Sequence, residues 1–358
     1  MFNNQFAKIP SSEDEFRRLI LAVSMASMKI NTFSDNYDWD RFGRTPDSKS
    51  TEFAVSERVM WLEWFFEHCT SIYQAMTHLA DDKSKSLMMN LLAYRIAGHL
   101  SIKIDVDFSS KNSQAFKEFS GIATGPSGIE IDGRMGPLSH FDFSHKGHYY
   151  RADALDFSDT LFRGQYCLYE GTIKVMVEER DVVIDGGACL GESSIVFGKA
   201  TGPSGTVYAF DPISEHLNMV KHNAALNPDC NIVAMPFGLS DQDFDCEPLS
   251  LGKYDPAFSL RRASVPLRKL DSLIISGEIQ KVDLIKLDVE GAELQALKGA
   301  MHTLSTFRPK LAISLYHLPT DIFSIPIWIK DNFPFYKMHM RHYTMHREET
   351  VLYCSANA

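Results

Sequence analysis

Val182-Val183-Ile184-Asp185-Gly186-Gly187-Ala188-Cys189-Leu190-Gly191 decides the fold. An apolar run ends in an acid, passes through glycines and enters a segment with the pattern of a helix start. Outward from it, strand-like and helix-like runs alternate. Val182–Ile184 reads as a strand and Ser193–Ala200 as a helix, then Val207–Phe210 as a strand and Glu215–Ala225 as a helix. Ile232–Met235 and Val282–Leu287 are further strands. A helix follows with Leu294, Leu297, Met301 and Leu304 on one face, then a strand at Leu311–Leu315 and a helix at Ile327–Asn332. This alternation predicts a parallel sheet with helices on both faces. The end differs: Phe335–Arg341 and Thr350–Tyr353 are separated only by a charged turn around Arg347–Glu349, which predicts an antiparallel hairpin. The expected class is therefore α/β, a Rossmann-like sheet, mostly parallel, closed by an antiparallel C-terminal hairpin.

The first half has a different grammar. Phe16, Leu19, Ile20 and Val23 recur at helical spacing between Glu13 and Lys29. Asn31 to Thr51 reads as a loop. Phe53–Phe66, the stripe Ile72, Ala75, Met76, Leu79 and the stripe Leu87, Met88, Leu91, Leu92 read as helices, the last stopping near Gly98. Ile102, Ile104 and Val106 alternate as a strand would, and turns with short strands are expected from Gly121 to Tyr150. The domain expectation is a helical N-terminal module over 1–100, a mixed connecting and substrate-facing region over 101–159, and a Rossmann-like domain over 160–358. Ala-Thr-Gly-Pro-Ser-Gly occurs twice, at 123–128 and 200–205. It lacks the Lys-Ser/Thr ending of a phosphate loop and reads as a reverse turn, each copy preceding a strand-like run (Ile129–Ile131, Val207–Phe210).

Composition sets bounds. The chain has 358 residues, 44% of them apolar and 23% charged, enough for a sizeable core and two domains. A formal net charge of -10 argues against a nucleic-acid partner. Cys69, Cys167, Cys189, Cys230, Cys246 and Cys354 form no Cys-x-x-Cys pair, so free thiols are expected. No apolar run is long enough to span a bilayer, and the first 29 residues lack a signal-peptide pattern, so a cytoplasmic location is expected.

The strand ends carry the chemistry. At the glycine turn, the backbone must come close to a ligand, and the N–H groups opening the next helix can hold an anion. Gly186, Gly187 and Gly191 form this turn, and Asp185 is placed to meet a cationic group. The dinucleotide fingerprint wants glycine at 186, 188 and 191, but position 188 is alanine. Asp211, 26 residues after Asp185, can accept ribose hydroxyls, or it can cap the following helix. Ser240 and Asp241 follow the third strand and can bond an adenine base, or simply make a turn. Strand period puts Lys286 and Asp288 on one face, near the open edge and paired. Asp288, Glu290 and, at the end of the fifth strand, His317 are candidates for the base that takes a proton from an acceptor hydroxyl. Glu293 reads as structural, favoured by the helix dipole. His339, His342 and His346, with His140, His145 and His148, have no metal-site spacing, so no metal is expected; a divalent ion at Asp288 is the alternative.

Together, Asp185-Gly186-Gly187-Ala188, Tyr208-Ala209-Phe210-Asp211-Pro212, Ile285-Lys286-Leu287-Asp288-Val289-Glu290-Gly291-Ala292-Glu293-Leu294 and Leu297-Lys298-Gly299-Ala300 resemble the FkbM-type methyltransferases. Leu315-Tyr316-His317, Met340-Arg341-His342-Tyr343 and Glu349-Thr350-Val351-Leu352-Tyr353 are similar too. The likeness covers residues 160–358. Asp211 departs from it, since glutamate is common there. The resemblance implies the class I methyltransferase fold, S-adenosyl-L-methionine as cofactor, and methylation of a hydroxyl on a sugar or secondary metabolite. A nicotinamide-dependent oxidoreductase and a non-catalytic nucleotide-binding module are the rival readings. The helical module is expected to cover the acceptor site or make a homodimer.

Overall fold

The computed structural model describes residues 6, 8–28, 55–99, 101–104, 122–131, 137–250, 262–344 and 348–356. The expected loop at 31–51, Val106 and His346 lie outside them. Contacts divide the chain into two compact units: Met1–Asp107 with Leu318–Leu352, and Phe108–His317 with Tyr353–Ala358.

The first unit is built on helices α1 (Glu13–Ser27), α2 (Val55–His78), α3 (Asp82–Ala97) and α9 (Asp321–Asn332). Ser12 caps α1 by accepting from the Glu15 N–H. No glycine or proline interrupts the run from Val55 to His78, so the two apolar stripes expected there join into one helix. In α3, Asp81 is the N-cap and Gly98, at φ 89, ends the helix where expected. Every residue from Met88 to Ala97 is buried, so α3 is a core helix without a polar face. Asp81 also pairs with His339 at 2.5 Å and with Arg341 at 3.3 Å. Those residues belong to strand β14 (Lys337–His342). Arg95 stacks over Trp61 and Trp64, 5.3 and 5.5 Å from their ring centres. Ile102 and Ile104 are buried, but no strand forms at 101–104.

The second unit holds the parallel sheet. Strands β6 (Val182–Gly186), β7 (Thr206–Phe210), β8 (Ile232–Met235), β12 (Leu284–Leu287) and β13 (Lys310–Ser314) pair in parallel. The seven-stranded order is β14-β15-β13-β12-β6-β7-β8. Strand β15 (Thr350–Ser355) runs from the first unit into the second. Consecutive β14 and β15 make the expected hairpin, with the Tyr343 N–H donating to the Glu349 carbonyl. Helices α4 (Glu192–Thr201) and α5 (Ser214–Leu226) follow β6 and β7.

Three features depart from the sequence reading. The helix expected to carry Leu294 through Leu304 is two helices, α7 (Glu293–Lys298) and α8 (Met301–Phe307). They break at Gly299, where a Cβ would stand 1.9 Å from the Ser240 carbonyl oxygen. A small sheet of β9 (Gly238–Leu239), β10 (Phe244–Ser250) and β11 (Arg262–Arg268) is inserted before β12. The two Ala-Thr-Gly-Pro-Ser-Gly copies fold differently. The first begins as strand β1 (Ala123–Pro126), and Ile129–Ile131 is not a strand. The second closes α4 and turns into β7.

Strand β1 heads a three-stranded sheet with β2 (Ser139–His145) and β3 (His148–Ala154). Strand β3 is an edge, and an edge leaves backbone groups unpaired. Asn223 on α5 and Asn227 at its C-cap, one turn on, cover it. Asn223 accepts from the Asp153 N–H (2.9 Å) and donates to its carbonyl (3.0 Å), and Asn227 does the same with Arg151 (3.3 and 2.6 Å). Asn223 Nδ2 also donates to the Leu190 carbonyl at 2.7 Å, so one amide ties β3 to the glycine turn. Asn223→Ala leaves these buried groups unmet and is expected to cost about 2–4 kcal/mol in urea denaturation. Asn231 donates to the Gly205 carbonyl and the Thr206 hydroxyl at a partly exposed site, so Asn231→Ala is expected to cost under about 1 kcal/mol.

Candidate active site at the strand switch point

Strands β6 and β12 are neighbours, but the chain leaves them in opposite directions across the sheet: to β7 and β8 from one, to β13 from the other. Such a switch point, at the carboxyl ends of the strands, is where open α/β sheets form the crevice that binds ligands. One wall is the glycine turn Gly186–Gly191. The other is Asp288–Ala292, between β12 and α7.

Glycine is required at 187 for a reason different from the expected one. Gly187 has φ +75, and a Cβ there would lie 1.8 Å from the Asp288 carbonyl oxygen. The clash is with the protein's own opposite wall. The Gly187 and Ala188 N–H groups both donate to the Phe210 carbonyl at 3.0 Å. Gly191 is the N-cap of α4, left-handed and without a side-chain cap. The opening amides of α4 therefore keep the character of an anion site. Glu192 opens that helix, and burial pushes its carboxyl up to about 7.

The two acids of the first strands are turned into the scaffold. Asp185 is fully buried; its Oδ2 accepts from Ser193 (2.7 Å) and Ser194 (2.6 Å), and its Oδ1 lies 3.0 Å from Lys286 Nζ. Asp211 accepts from the Cys189 N–H (3.0 Å) and the Ile213 N–H (2.9 Å) and sits 3.2 Å from His216 Nδ1. Both of its oxygens hold the glycine turn to the start of α5. Ser240 donates its N–H to the Arg268 carbonyl at 3.0 Å, and the Ser240–Asp241 backbone packs on Gly299.

Lys286 stands level with Asp185 on the neighbouring strand and donates to the carbonyls of Gly186 (3.1 Å) and Gly187 (2.8 Å). Burial pulls its pKa down, but Asp185 and Asp288 outweigh that and hold it above the ordinary lysine value. Lys286 thus joins the two walls of the crevice. Asp288 accepts from the Tyr166 hydroxyl (2.9 Å) on Oδ2 and from the Tyr316 hydroxyl (2.8 Å) on Oδ1. Burial raises its pKa, but Lys286 and His317 overcome the effect and keep it below the usual aspartate value.

Glu290 has a left-handed backbone, φ 54, and a half-exposed side chain. Glu293 is fully buried and shapes this turn by accepting from the N–H groups of Val289 (2.7 Å) and Gly291 (3.1 Å). His317 Nδ1 is 2.8 Å from Glu293, and its Nε2 is 3.6 Å from Asp288 and 3.7 Å from Glu290. Burial lowers the imidazole pKa; Glu293, Asp288 and Glu290 raise it further, to about 10. At neutral pH the ring is an imidazolium, a donor with no lone pair for a proton. Asp288, Glu293 and His317 bring ligand atoms within 4.8 Å of one another, a spacing a divalent ion can use. Their contacts fit a shared proton better: both Glu293 oxygens already accept backbone amides, and the imidazolium supplies the positive charge. An open cleft of about 450 Å³, bordered by Asp243, Asp245, Arg268 and Ser272, includes none of these residues.

The structure brings together Asp185, Gly186, Gly187, Lys286, Asp288, Glu290 and His317, and ties Asp211 to the glycine turn. Sequence reasoning missed Ser193, Ser194, Tyr166 and Tyr316 in this cluster. Tyr316 carried a signal, lying next to His317 at the strand end. Tyr166 carried none, being 122 positions from the carboxylate it meets.

Residues 185–346 match the methyltransferase FkbM domain. Over these residues the chain is similar to the FkbM methyltransferases. The hexuronic acid methyltransferase AglP of Haloferax volcanii is 28% identical over 133 residues, which is 36% of this chain and 54% of that protein. The crystal structure of methyltransferase FkbM from Methylobacillus flagellatus KT superposes with a TM-score of 0.53 at 20% identity, covering 86% of this chain and 64% of that one. The chain thus spans about half the length of the curated relative and just under two thirds of the solved one. The fold is the class I methyltransferase fold, with a helical N-terminal region. Among the described residues no helix is long and apolar enough to cross a membrane, and the five described cysteines are free thiols.

The His317 pair makes a pH-dependent prediction. Its folded pKa is raised, so its stabilisation is complete below about pH 6.5 and is lost as pH rises through about 10. His317→Gln is expected to cost about 3 kcal/mol at pH 6. The gap to wild type should narrow steadily toward pH 10 in urea denaturation; a constant gap would contradict a charged pair.

Proposed function

We propose that this protein is an S-adenosylmethionine-dependent O-methyltransferase acting on a hydroxyl of a small molecule, a sugar or a secondary metabolite. The supporting observation is the switch point itself, where an uncapped helix start behind a glycine turn faces the charged end of β12. The Haloferax relative is a hexuronic acid methyltransferase, which favours a sugar among the acceptors. A homodimer contact is the role proposed for the N-terminal helices.

In this reading Gly186, Gly187, Gly191 and the first amides of α4 take the donor's carboxylate. Asp185 and Asp211 act through the turn they brace, and Ser240 and Asp241 border the adenine side. The bound cofactor supplies an electrophilic methyl group. The protein's share is to orient the acceptor oxygen, exclude water and remove one proton. Of the three candidate bases, Glu290 fits that last task best. His317 is already protonated, and both Asp288 oxygens hold phenol donors while Lys286 and His317 favour its ionised form. His317 Nε2 and Asp288 then hold the acceptor, donor and acceptor side by side, and Lys286 keeps the two walls in register.

Calorimetric titration with S-adenosylhomocysteine and with NADH, followed by transfer of labelled methyl to uronic acids and neutral sugars, tests the reading. S-adenosylhomocysteine is expected to bind and NADH not to; binding of NADH alone overturns the proposal. Glu290→Gln is expected to lower kcat roughly 10²- to 10⁴-fold, with S-adenosylhomocysteine affinity within about twofold of wild type.

A further inference from the structure

We propose that Tyr166 and Tyr316 are positioning residues that clamp the Asp288 carboxylate, fixing its plane and keeping it ionised toward the acceptor. A carboxylate on a short side chain turns freely about its last torsion, because that torsion is broad and roughly two-fold. Here each oxygen is held by a different phenol, Oδ2 by Tyr166 and Oδ1 by Tyr316. A carboxylate has about four acceptor sites, so two phenols fix the group and leave lone pairs for a substrate hydroxyl.

The phenols come from separate parts of the second unit, and each is itself held. Tyr316 follows β13, its ring centre 4.2 Å from that of His317. Tyr166 is buried and has φ 69, a left-handed backbone that a bulky residue rarely adopts. That conformation is secured by the Tyr166 N–H, which donates to the Tyr353 hydroxyl at 2.9 Å. Gln165 Nε2 donates to the Tyr166 hydroxyl at 3.1 Å, so the phenol oxygen is an acceptor for the amide and its hydrogen is directed at Asp288. The Lys286 ammonium lies 5.2 Å from the centre of the Tyr166 ring. An unfavourable backbone fixed by a buried hydrogen bond, with its side chain aimed at one carboxylate oxygen, is more than packing needs.

The charged groups facing Asp288 are Lys286 from β12, His317 from the end of β13, and Glu290 and Glu293 from the turn and helix that follow, with Asp185 of β6 behind Lys286. Removing a phenol donor withdraws a hydrogen bond made to the ionised form, so Asp288 must become easier to protonate.

The first test does not depend on methyl transfer. Protein labelled with 13C at aspartate carboxyls is titrated by NMR, with Asp288→Asn identifying the signal. Tyr166→Phe and Tyr316→Phe are each expected to raise the Asp288 titration midpoint by about one pH unit, and the double variant by more. An unchanged midpoint in all three overturns the clamp. If Tyr166→Phe does not fold, Tyr316→Phe decides alone. The second test rests on the methyl-transfer reading. Above the Asp288 midpoint, kcat/KM for the acceptor should fall about tenfold in each variant, with S-adenosylhomocysteine affinity within about twofold. A role in packing alone would lower the melting temperature and leave the Asp288 midpoint in place. Failure of wild-type protein to bind S-adenosylhomocysteine defeats the methyl-donor reading, while the NMR titration still decides the clamp.

Discussion

The pair of Lys286 and Asp185, 3.0 Å apart and almost wholly buried, is the constraint on which the site depends. Bringing two charges out of water carries a penalty of several kcal/mol per ion, repaid only when the remaining hydrogen-bonding capacity is filled. Here it is filled locally. Lys286 donates to two carbonyls of the glycine turn, and Asp185 accepts from two serines at the start of α4. The pair therefore specifies which backbone stands beside which. It pins the turn after β6 against the end of β12, so closely that position 187 has no room for a Cβ.

From that junction, rigidity passes outward in hydrogen-bonded steps. The turn is held on its far side by the Phe210 carbonyl and by Asp211, and from above by Asn223, which also carries the edge of β3. On the other wall, Glu293 gathers the Val289 and Gly291 amides and the His317 ring into one knot. Glu290 is the contrast. It sits at the top of that knot on a left-handed backbone with half of its side chain in solvent. A rigid frame around one accessible carboxylate suits the base role proposed for Glu290.

The fold was legible in the chain because parallel strands buried on both faces read as short apolar runs, and each was bounded by glycine, acid or turn residues. Ile232–Met235 was found to the residue, and the break at Gly98 as well. What failed was whatever depends on a partner distant in sequence. One hexapeptide became a strand in one place and a helix end in another, since Ala123–Pro126 has β2 to pair with and 200–205 does not. Gly299 lies inside the run expected as one helix, and the Ser240 backbone beside it is what divides that run. At the site, residue types and strand ends were readable, but bonding states were not. Lys286 was expected to pair with Asp288 on its own strand; its direct ion pair is with Asp185 on the next, a contact made across 101 positions of sequence.

Formal charge at the strand ends adds an argument about ligand sign. Asp185, Asp288, Glu290 and Glu293 face Lys286 and His317, four carboxylates against two cations, with Asp185 and Glu293 fully buried. Such a site disfavours an anion at its centre and favours a cation, with attractions several times those in bulk water. Dinucleotide phosphates would meet this excess unfavourably. A ligand that joins a carboxylate to a cationic centre, as S-adenosylmethionine does through its sulfonium, would meet both features at once. Under the proposed function, loss of the methyl group would leave a neutral thioether where the sulfonium stood, and the carboxylates of Asp288 and Glu290 would then favour the charged donor over the product.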